Sequence, residues 1–335
     1  MPTVILLDVS LSMSRRLTGY DGRITDVRLQ HLAVQGIHHF LDQISARCRL
    51  EFSALIAFSS LWEVVVPFTR DIAAVKAGCL SVDVYDKTCI ENSLRGVETL
   101  VMEEWGSTIP INLILVTDGR IGTGSGSLKE SLEKVRTEEN KFPLPFSFPC
   151  SLSVVCLTNL KQDANEVSLS TVFYRRLIGM NNNCGEIYVP EGPLNLNSVE
   201  KCFDKIIQTH YDTYEGVLSS GNLKSDITLS PTPNFKNCWL NILHSYRQDA
   251  PDTSSLKMPS ELKIIGFLDI ADISNPPFIS RHVVMPISKG SSSAKDGNRI
   301  TSPSCSEEAG KVASFCVVLH GSLKIERMVA IIKLG

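Results

Sequence analysis

The chain has 335 residues, 43% of them hydrophobic and 21% charged, and a formal net charge of −3. This composition excludes wholesale disorder, and the length exceeds one typical core, so two domains are expected. The charge is unevenly divided: residues 218–335 hold 13 Lys and Arg against 10 Asp and Glu, a surplus of +3 that leaves −6 for the rest. So small a surplus permits a patch for nucleic acid or an acidic partner without arguing for one.

Met1-Pro2 leads at once into the apolar run Thr3-Val4-Ile5-Leu6-Leu7, without the basic stretch or small-residue cleavage site of a signal peptide. No segment reaches the roughly 18 uninterrupted apolar residues of a membrane span, so no membrane contact is expected. Cysteines at 48, 79, 89, 150, 156, 184, 202, 238, 305 and 316 show no Cys-x-x-Cys pair, and they read as reduced core thiols of a cytosolic or nuclear protein.

In chain order, Val4 to Leu7 is the first buried strand. Leu29, Leu32, Ala33, Ile37, Phe40, Leu41 and Ile44 then recur at steps of three and four on one helix face, with Asp26 placed to cap it. Phe52 to Phe58 and Trp62 to Phe68, joined by Ser59-Ser60-Leu61, predict an antiparallel hairpin at the edge of an otherwise parallel sheet. A helix from Cys89 to Trp105, a strand from Ile111 to Val116, a Gly- and Ser-rich loop from Gly119 to Ser127 and a short helix from Leu128 to Val135 follow. Pro143, Pro145 and Pro149 exclude a helix before the strand Leu152 to Leu157. A helix around Val167 to Ile178, a strand Glu186 to Val189 and a helix Leu196 to Tyr211 complete a doubly wound α/β domain over residues 1–215, with a mostly parallel six-stranded sheet.

Residues 216–335 read as an all-β, barrel-like domain. Its short runs are Ile227 to Leu229, Cys238 to Leu243, Leu262 to Leu268, His282 to Met285, Ala313 to Leu319 and Met328 to Ile332, with no convincing amphipathic helix. Ser288 to Ser306 reads as a disordered loop, and the chain stops three residues after the last apolar run, as a truncated form would.

The chemistry gathers at strand ends. Asp8, Ser10 and Ser12 alternate directly after the first strand, so an extended backbone would point one carboxylate and two hydroxyls the same way at the carboxyl edge of the sheet, where open α/β sheets bind ligands. Thr117-Asp118-Gly119 places a second carboxylate at the end of a second strand, and Thr88 stands where it can cap the Cys89 helix or join a cation. Asp8, Ser10, Ser12, Thr88 and Asp118 are hard oxygen donors, which suit Mg²⁺ or Mn²⁺ and disfavour zinc. Taken singly, each also has a bland reading, as a loop or helix cap.

These residues resemble the von Willebrand factor A family, whose metal-ion-dependent adhesion site uses Asp-x-Ser-x-Ser, a Thr and an Asp in this order; the match spans roughly residues 1–215. The resemblance implies that the serines and often the threonine bind the ion directly, that the aspartates act partly through water, and that an acidic group of a partner completes the shell. One departure is Asp86-Lys87 before Thr88, where the family usually has Gly-Gly; Lys87 either lowers cation affinity by repulsion or reaches an acidic partner. The stretches MPTVILLDVSLSMSR and LILVTDGRIGTGSGS, with a β-rich domain following, also resemble a subunit family of the nuclear Integrator complex. That implies a nuclear scaffold, a barrel similar to that of the Ku proteins, a direct heterodimer with Integrator subunit 13, contact with subunit 10, and association with RNA or DNA. Lys257, Lys263, Arg281, Lys324 and Arg327 are the candidate basic surface for nucleic acid.

Enzyme readings are weaker. A phosphoryl-transferring Asp nucleophile would want a second Asp where Ser10 stands, no Gly-Lys-Ser/Thr follows the Gly122 to Gly126 loop, and adjacent His38 and His39 cannot both face one site. A Mg²⁺-dependent phosphoryl-transfer enzyme and an isolated receptor for acidic peptides stay open as alternatives to a non-catalytic scaffold.

Overall fold

The computed structural model describes residues 1–18, 24–48, 50–124, 126–135, 142–158, 164–230, 232, 258–273, 282–287 and 314–333. The described residues fall into two units, one over Met1–Asp212 and one that begins at Thr213.

The first unit is built on strands β1 (Thr3–Asp8), β4 (Ser53–Phe58), β5 (Trp62–Thr69), β6 (Ile111–Thr117), β7 (Cys150–Cys156) and β8 (Gly185–Tyr188), in the order β5-β4-β1-β6-β7-β8. Every pairing is parallel except the β4–β5 hairpin at the edge, as the sequence predicts. β1 lies inside the sheet and all six of its residues are buried. Ile5 and Leu7 enter one core with α1 (Leu29–Arg47) and α6 (Leu196–His210), whereas Val4 and Leu6 enter the other with α3 (Ile90–Glu104), α4 (Leu128–Lys134) and α5 (Ala164–Met180). Burial on both faces is why the strand reads as a continuous apolar run.

Three local expectations need correction. Asp26 does not cap α1: Ile24–Arg28 is a strand, β3, paired with β2 (Arg16–Thr18), so the helix starts at Leu29 and the exposed Asp26 carboxylate meets Arg16 at 3.5 Å. The pattern of apolar residues fixed the helix face but carried no signal for this ribbon. A helix absent from the sequence reading, α2 (Ile72–Ser81), is capped by Asp71, which accepts from the amides of Ala73 and Ala74. It buries only Val75, Gly78 and Cys79, so it offers little periodic contrast. Cys184 is disulfide-bonded, against the reading of all ten cysteines as thiols, because linear spacing does not report pairing at a distance. Seven others, including Cys79, Cys150 and Cys202, are buried thiols outside any disulfide.

The second unit is a curled five-stranded sheet, half of a barrel. Its strands β9 (Tyr214–Ser220), β10 (Leu223–Ser230), β11 (Glu261–Asp269), β12 (Val283–Pro286) and β13 (Met328–Lys333) lie in the order β12-β10-β9-β11-β13. The expected strand at Ala313 to Leu319 is instead the start of a helix, α7 (Phe315–Glu326). Phe315, Cys316 and Leu319 turn inward onto the sheet's core, and Val317 and Val318 face solvent, a helical spacing hidden in an unbroken apolar run. The expected strand Cys238 to Leu243 and the loop Ser288 to Ser306 lie outside the described residues. Among the described residues no helix is long and apolar enough to cross a membrane.

Helices α1 and α6 meet where Gly36 leaves room: a Cβ there would lie 2.5 Å from the Phe203 ring and 2.7 Å from Val199. Gly36→Ala should therefore cost about 1–3 kcal/mol in denaturant unfolding through overpacking. Gly321, inside α7 with nothing within 4 Å of its would-be Cβ, should respond the other way, with Ala gaining roughly 0.5–1 kcal/mol.

Candidate metal centre

β1 and β6 are parallel neighbours in register, with Leu7 opposite Val116, so Asp8 and Asp118 emerge together at their carboxyl ends. Both are sealed from water, at 0% and 2% exposure. Asp8 Oδ1 accepts from the Ser10 amide at 2.9 Å, and its Oδ2 accepts from the Thr117 hydroxyl at 2.7 Å. Asp118 Oδ1 accepts from the Arg120 amide at 3.0 Å. Its Oδ2 is buried without a hydrogen-bond partner, and the Arg120 Nε, 3.6 Å away, adds only an ion pair beyond hydrogen-bond reach.

The hydroxyls converge differently from the expectation. Strand geometry stops at Asp8, Ser10 makes an isolated bridge to Tyr85, and Leu11–Ser14 turns as a 3-10 helix, so simple alternation does not align Ser10 with Ser12. The turn itself brings their Oγ atoms to 3.1 Å. Thr88 does not cap α3, whose N-cap is Cys89; its hydroxyl donates to Ser10 Oγ at 2.9 Å. The chain around Thr88 is pinned by backbone bonds from Leu11 N to the Asp86 carbonyl, from Tyr85 N to the Val9 carbonyl and from Cys89 N to the Ser59 carbonyl. Gly122, at φ +77, presses against the Thr88 carbonyl, where a Cβ would lie 2.7 Å away.

The five sequence-selected residues thus share one locality. Ser10, Ser12, Thr88 and Asp118 line a cavity of about 520 Å³ together with Arg15, Asp86, Lys87, Arg120 and Ser170, and Asp8 lies just beneath. Asp8 accepts one bond on each oxygen, which ties Ser10 and Thr117 to it, and it sits behind the residues that line the cavity. The donors that can hold an ion are the three hydroxyls and Asp118 Oδ2, a hard set suited to a small divalent cation, and an orphaned buried carboxylate oxygen is what such an ion would satisfy. Sequence reasoning missed Arg15, Thr117, Arg120 and Ser170. Thr117, directly before Asp118, is the one with a usable signal, since a hydroxyl at a strand end can bond a neighbouring carboxylate.

The basic residues selected for nucleic acid are not gathered in the same way. Lys257 and Arg281 lie outside the described residues. Lys263 pairs with Lys333 at one end of the β11–β13 ladder, while Arg327 follows α7 at the other end, beside Met328 opposite Asp269. Six residues of strand put roughly 20 Å between those ends. Lys324 is exposed on the last turn of α7, near Arg327.

Residues 3–120 match the von Willebrand factor type A domain model, and residues 211–335 match the beta-barrel domain model of Integrator complex subunit 14. Over its whole length the chain is 41% identical to Integrator complex subunit 14 of Xenopus tropicalis and 42% identical to that of Homo sapiens, covering 64% of each. The Drosophila melanogaster subunit 14 is 24% identical, with 68% of its length covered. The chain therefore spans somewhat less than two thirds of the vertebrate relatives it matches.

Burial raises the Asp8 carboxyl from 3.8 to about 6, with repulsion from Asp118 adding to it, while the bonds from Ser10 and Thr117 oppose the rise. A carboxyl raised on folding favours the folded state only while protonated, so its stabilisation is present below about pH 4 and lost as pH rises through about 6. Asp8→Asn should accordingly raise the thermal midpoint of the cation-free protein at pH 7.5, by at most roughly 3 kcal/mol of stability. The gain should shrink steadily between pH 6 and pH 4, which thermal melts across that range would record.

Proposed function

The chain is a relative of Integrator complex subunit 14 that carries a von Willebrand factor type A domain and the subunit's β-barrel domain, and from that premise we propose that it serves as a non-catalytic scaffold subunit of the nuclear Integrator complex. In this reading it forms a heterodimer with Integrator subunit 13 through both units, contacts subunit 10, and supports nucleic-acid binding by the assembly. Its A-type domain holds Mg²⁺, or Mn²⁺, on Ser10, Ser12, Thr88 and Asp118, with Asp8 behind them. When bound, the cation supplies a coordination position for an acidic group of a partner. The ion then serves a separate and weaker contact than the heterodimer, because exchanging one tightly held water for a carboxylate gains little beside an obligate interface of roughly 2,000 Å² or more.

The observation that carries the scaffold role is the apolar surface of the second unit. Ile265, Phe267 and Leu268 along β11, Ile270 in the 3-10 turn after it, Val284 and Met285 on β12, and Val317 and Val318 on α7 are all exposed. Among the described residues β11 is paired with β9 only over Glu261–Lys263, so beyond that point one edge of the strand is open as well. A run of exposed apolar side chains beside an open strand edge is a surface that a partner would cover. Among the described residues no His or Cys lines the cavity, and the hydroxyls of Ser10 and Thr88 are bonded to one another, so no arrangement of nucleophile and imidazole base supports an enzyme.

Co-expression with subunit 13 tests the reading. Phe267→Asp should abolish co-purification of the pair, whereas Asp8→Ala and treatment with chelator should leave it intact. Loss of the heterodimer on chelation would assign the site the wrong role, and Mg²⁺-dependent phosphatase or nuclease turnover abolished by Asp8→Ala would replace the scaffold with an enzyme.

A further inference from the structure

Helix α5 is a fourth element of the cation site, beyond the three loops that supply its oxygens. Ser170 lines the cavity, and Tyr174, four residues on and so on the same helix face, is buried beneath it at 0% exposure. The Tyr174 hydroxyl donates to the carbonyl of Arg120 at 3.1 Å. The amide of the same residue donates to Asp118 Oδ1 at 3.0 Å. Arg120 is thus held from both sides: its C=O is fixed by α5, and its N–H fixes one oxygen of Asp118. The other oxygen, Oδ2, is left buried and without a hydrogen bond.

The backbone on the far side of this contact has little freedom to compensate. Gly119 sits at φ +82 with its would-be Cβ 3.3 Å from Cys156 Cβ, so the loop already lies hard against the end of β7. Thr117, on the other flank, spends its hydroxyl on Asp8. Burial, with the neighbouring ionisable groups of Cys156, Asp8 and Asp118 adding to it, pushes the Tyr174 phenol well above its ordinary value. The phenol therefore keeps its proton and remains a donor.

We propose that Tyr174 is a positioning residue for the cation site: its hydroxyl holds the Arg120 carbonyl, and the amide of the same residue, in the preceding peptide group, holds Asp118 Oδ1 so that Oδ2 is left for the cavity. The inference rests on the cation reading above and adds to it a residue that touches neither the ion nor its ligand. Outer partners of a metal ligand typically change metal affinity 10- to 100-fold when removed. Linkage makes the effect reciprocal: if α5 sets the geometry that binds the ion, the bound ion must steady α5.

The experiment is titration of the full chain with MnCl₂ by calorimetry, with hydrogen exchange followed over residues 170–180. Wild type should bind one Mn²⁺ and exchange more slowly in α5 when loaded. Tyr174→Phe should fold and melt near wild type without cation, yet bind Mn²⁺ about tenfold more weakly and lose the exchange response. Tyr211→Phe is the control, since it removes a buried hydroxyl bonded to Thr3, at the opposite end of β1, and should keep wild-type affinity. Equal Mn²⁺ affinity in wild type and Tyr174→Phe, or an equal loss in Tyr211→Phe, would overturn the positioning role. An unchanged exchange rate in loaded wild type would do so without recourse to any variant. Absence of Mn²⁺ binding by wild type is a different failure, one that removes the cation reading itself and this inference with it.

Discussion

Two carboxylates closed off from water at the ends of adjacent parallel strands set the condition that the rest of the A-type domain meets. Charge buried in a low-dielectric interior is costly unless it is bonded or neutralised, and two like charges side by side compound the cost. Three of the four oxygens are answered locally, by the Ser10 amide, the Thr117 hydroxyl and the Arg120 amide. The fourth, Asp118 Oδ2, has no hydrogen bond and meets only the Arg120 guanidinium at 3.6 Å. Three hydroxyls linked in a chain, Thr88 to Ser10 and Ser10 to Ser12, line the same cavity as Asp118. That arrangement is costly for an isolated fold and well matched to a small divalent ion, so the burial that destabilises the empty site is the same burial that would strengthen its hold on a cation.

The two units answer different physical demands. In the first, β1 and β6 are buried throughout and a core lies on each face of the sheet, so the site is mounted on a rigid frame. Among the described residues the second has a small core of Leu218, Ile227, Leu229, Leu262, Ile264 and Cys316, and it leaves large apolar side chains in water along β11, β12 and α7. A sheet that leaves such apolar surface in water would gain stability from a partner that covered it. This is the physical basis for proposing a lasting association that includes the half-barrel and a separable contact at the candidate cation site.

The frame of the A-type domain was legible because strands buried on both faces write long apolar runs, and because its larger helices have one-sided faces. The alternation of such runs with helices also located the strand ends that carry Asp8, Ser10, Ser12 and Asp118, and the helix start beside Thr88. What was not legible depended on contacts distant in the chain. The spacing of Ser10 and Ser12 suggested an extended strand, whereas the backbone bonds from residues 85–89 and the 3-10 turn bring the hydroxyls together. Tyr174 and Arg15 reach the site through folding alone, with no motif to mark them. In the second unit Phe315-Cys316-Val317-Val318-Leu319 is equally compatible with strand and helix until its neighbours are known, and it is a helix.

The central claim is that Asp118 Oδ2 and the hydroxyls of Ser10, Ser12 and Thr88 share one divalent ion. Crystals of the protein grown or soaked with Mn²⁺ and measured for anomalous scattering test it most directly. The account predicts a single strong peak in this cavity, with metal–oxygen distances of about 2.1 Å to the serine hydroxyls and the remaining positions filled by water or an acidic group. A cavity without anomalous density at saturating Mn²⁺, or a peak held elsewhere on the chain, would contradict it.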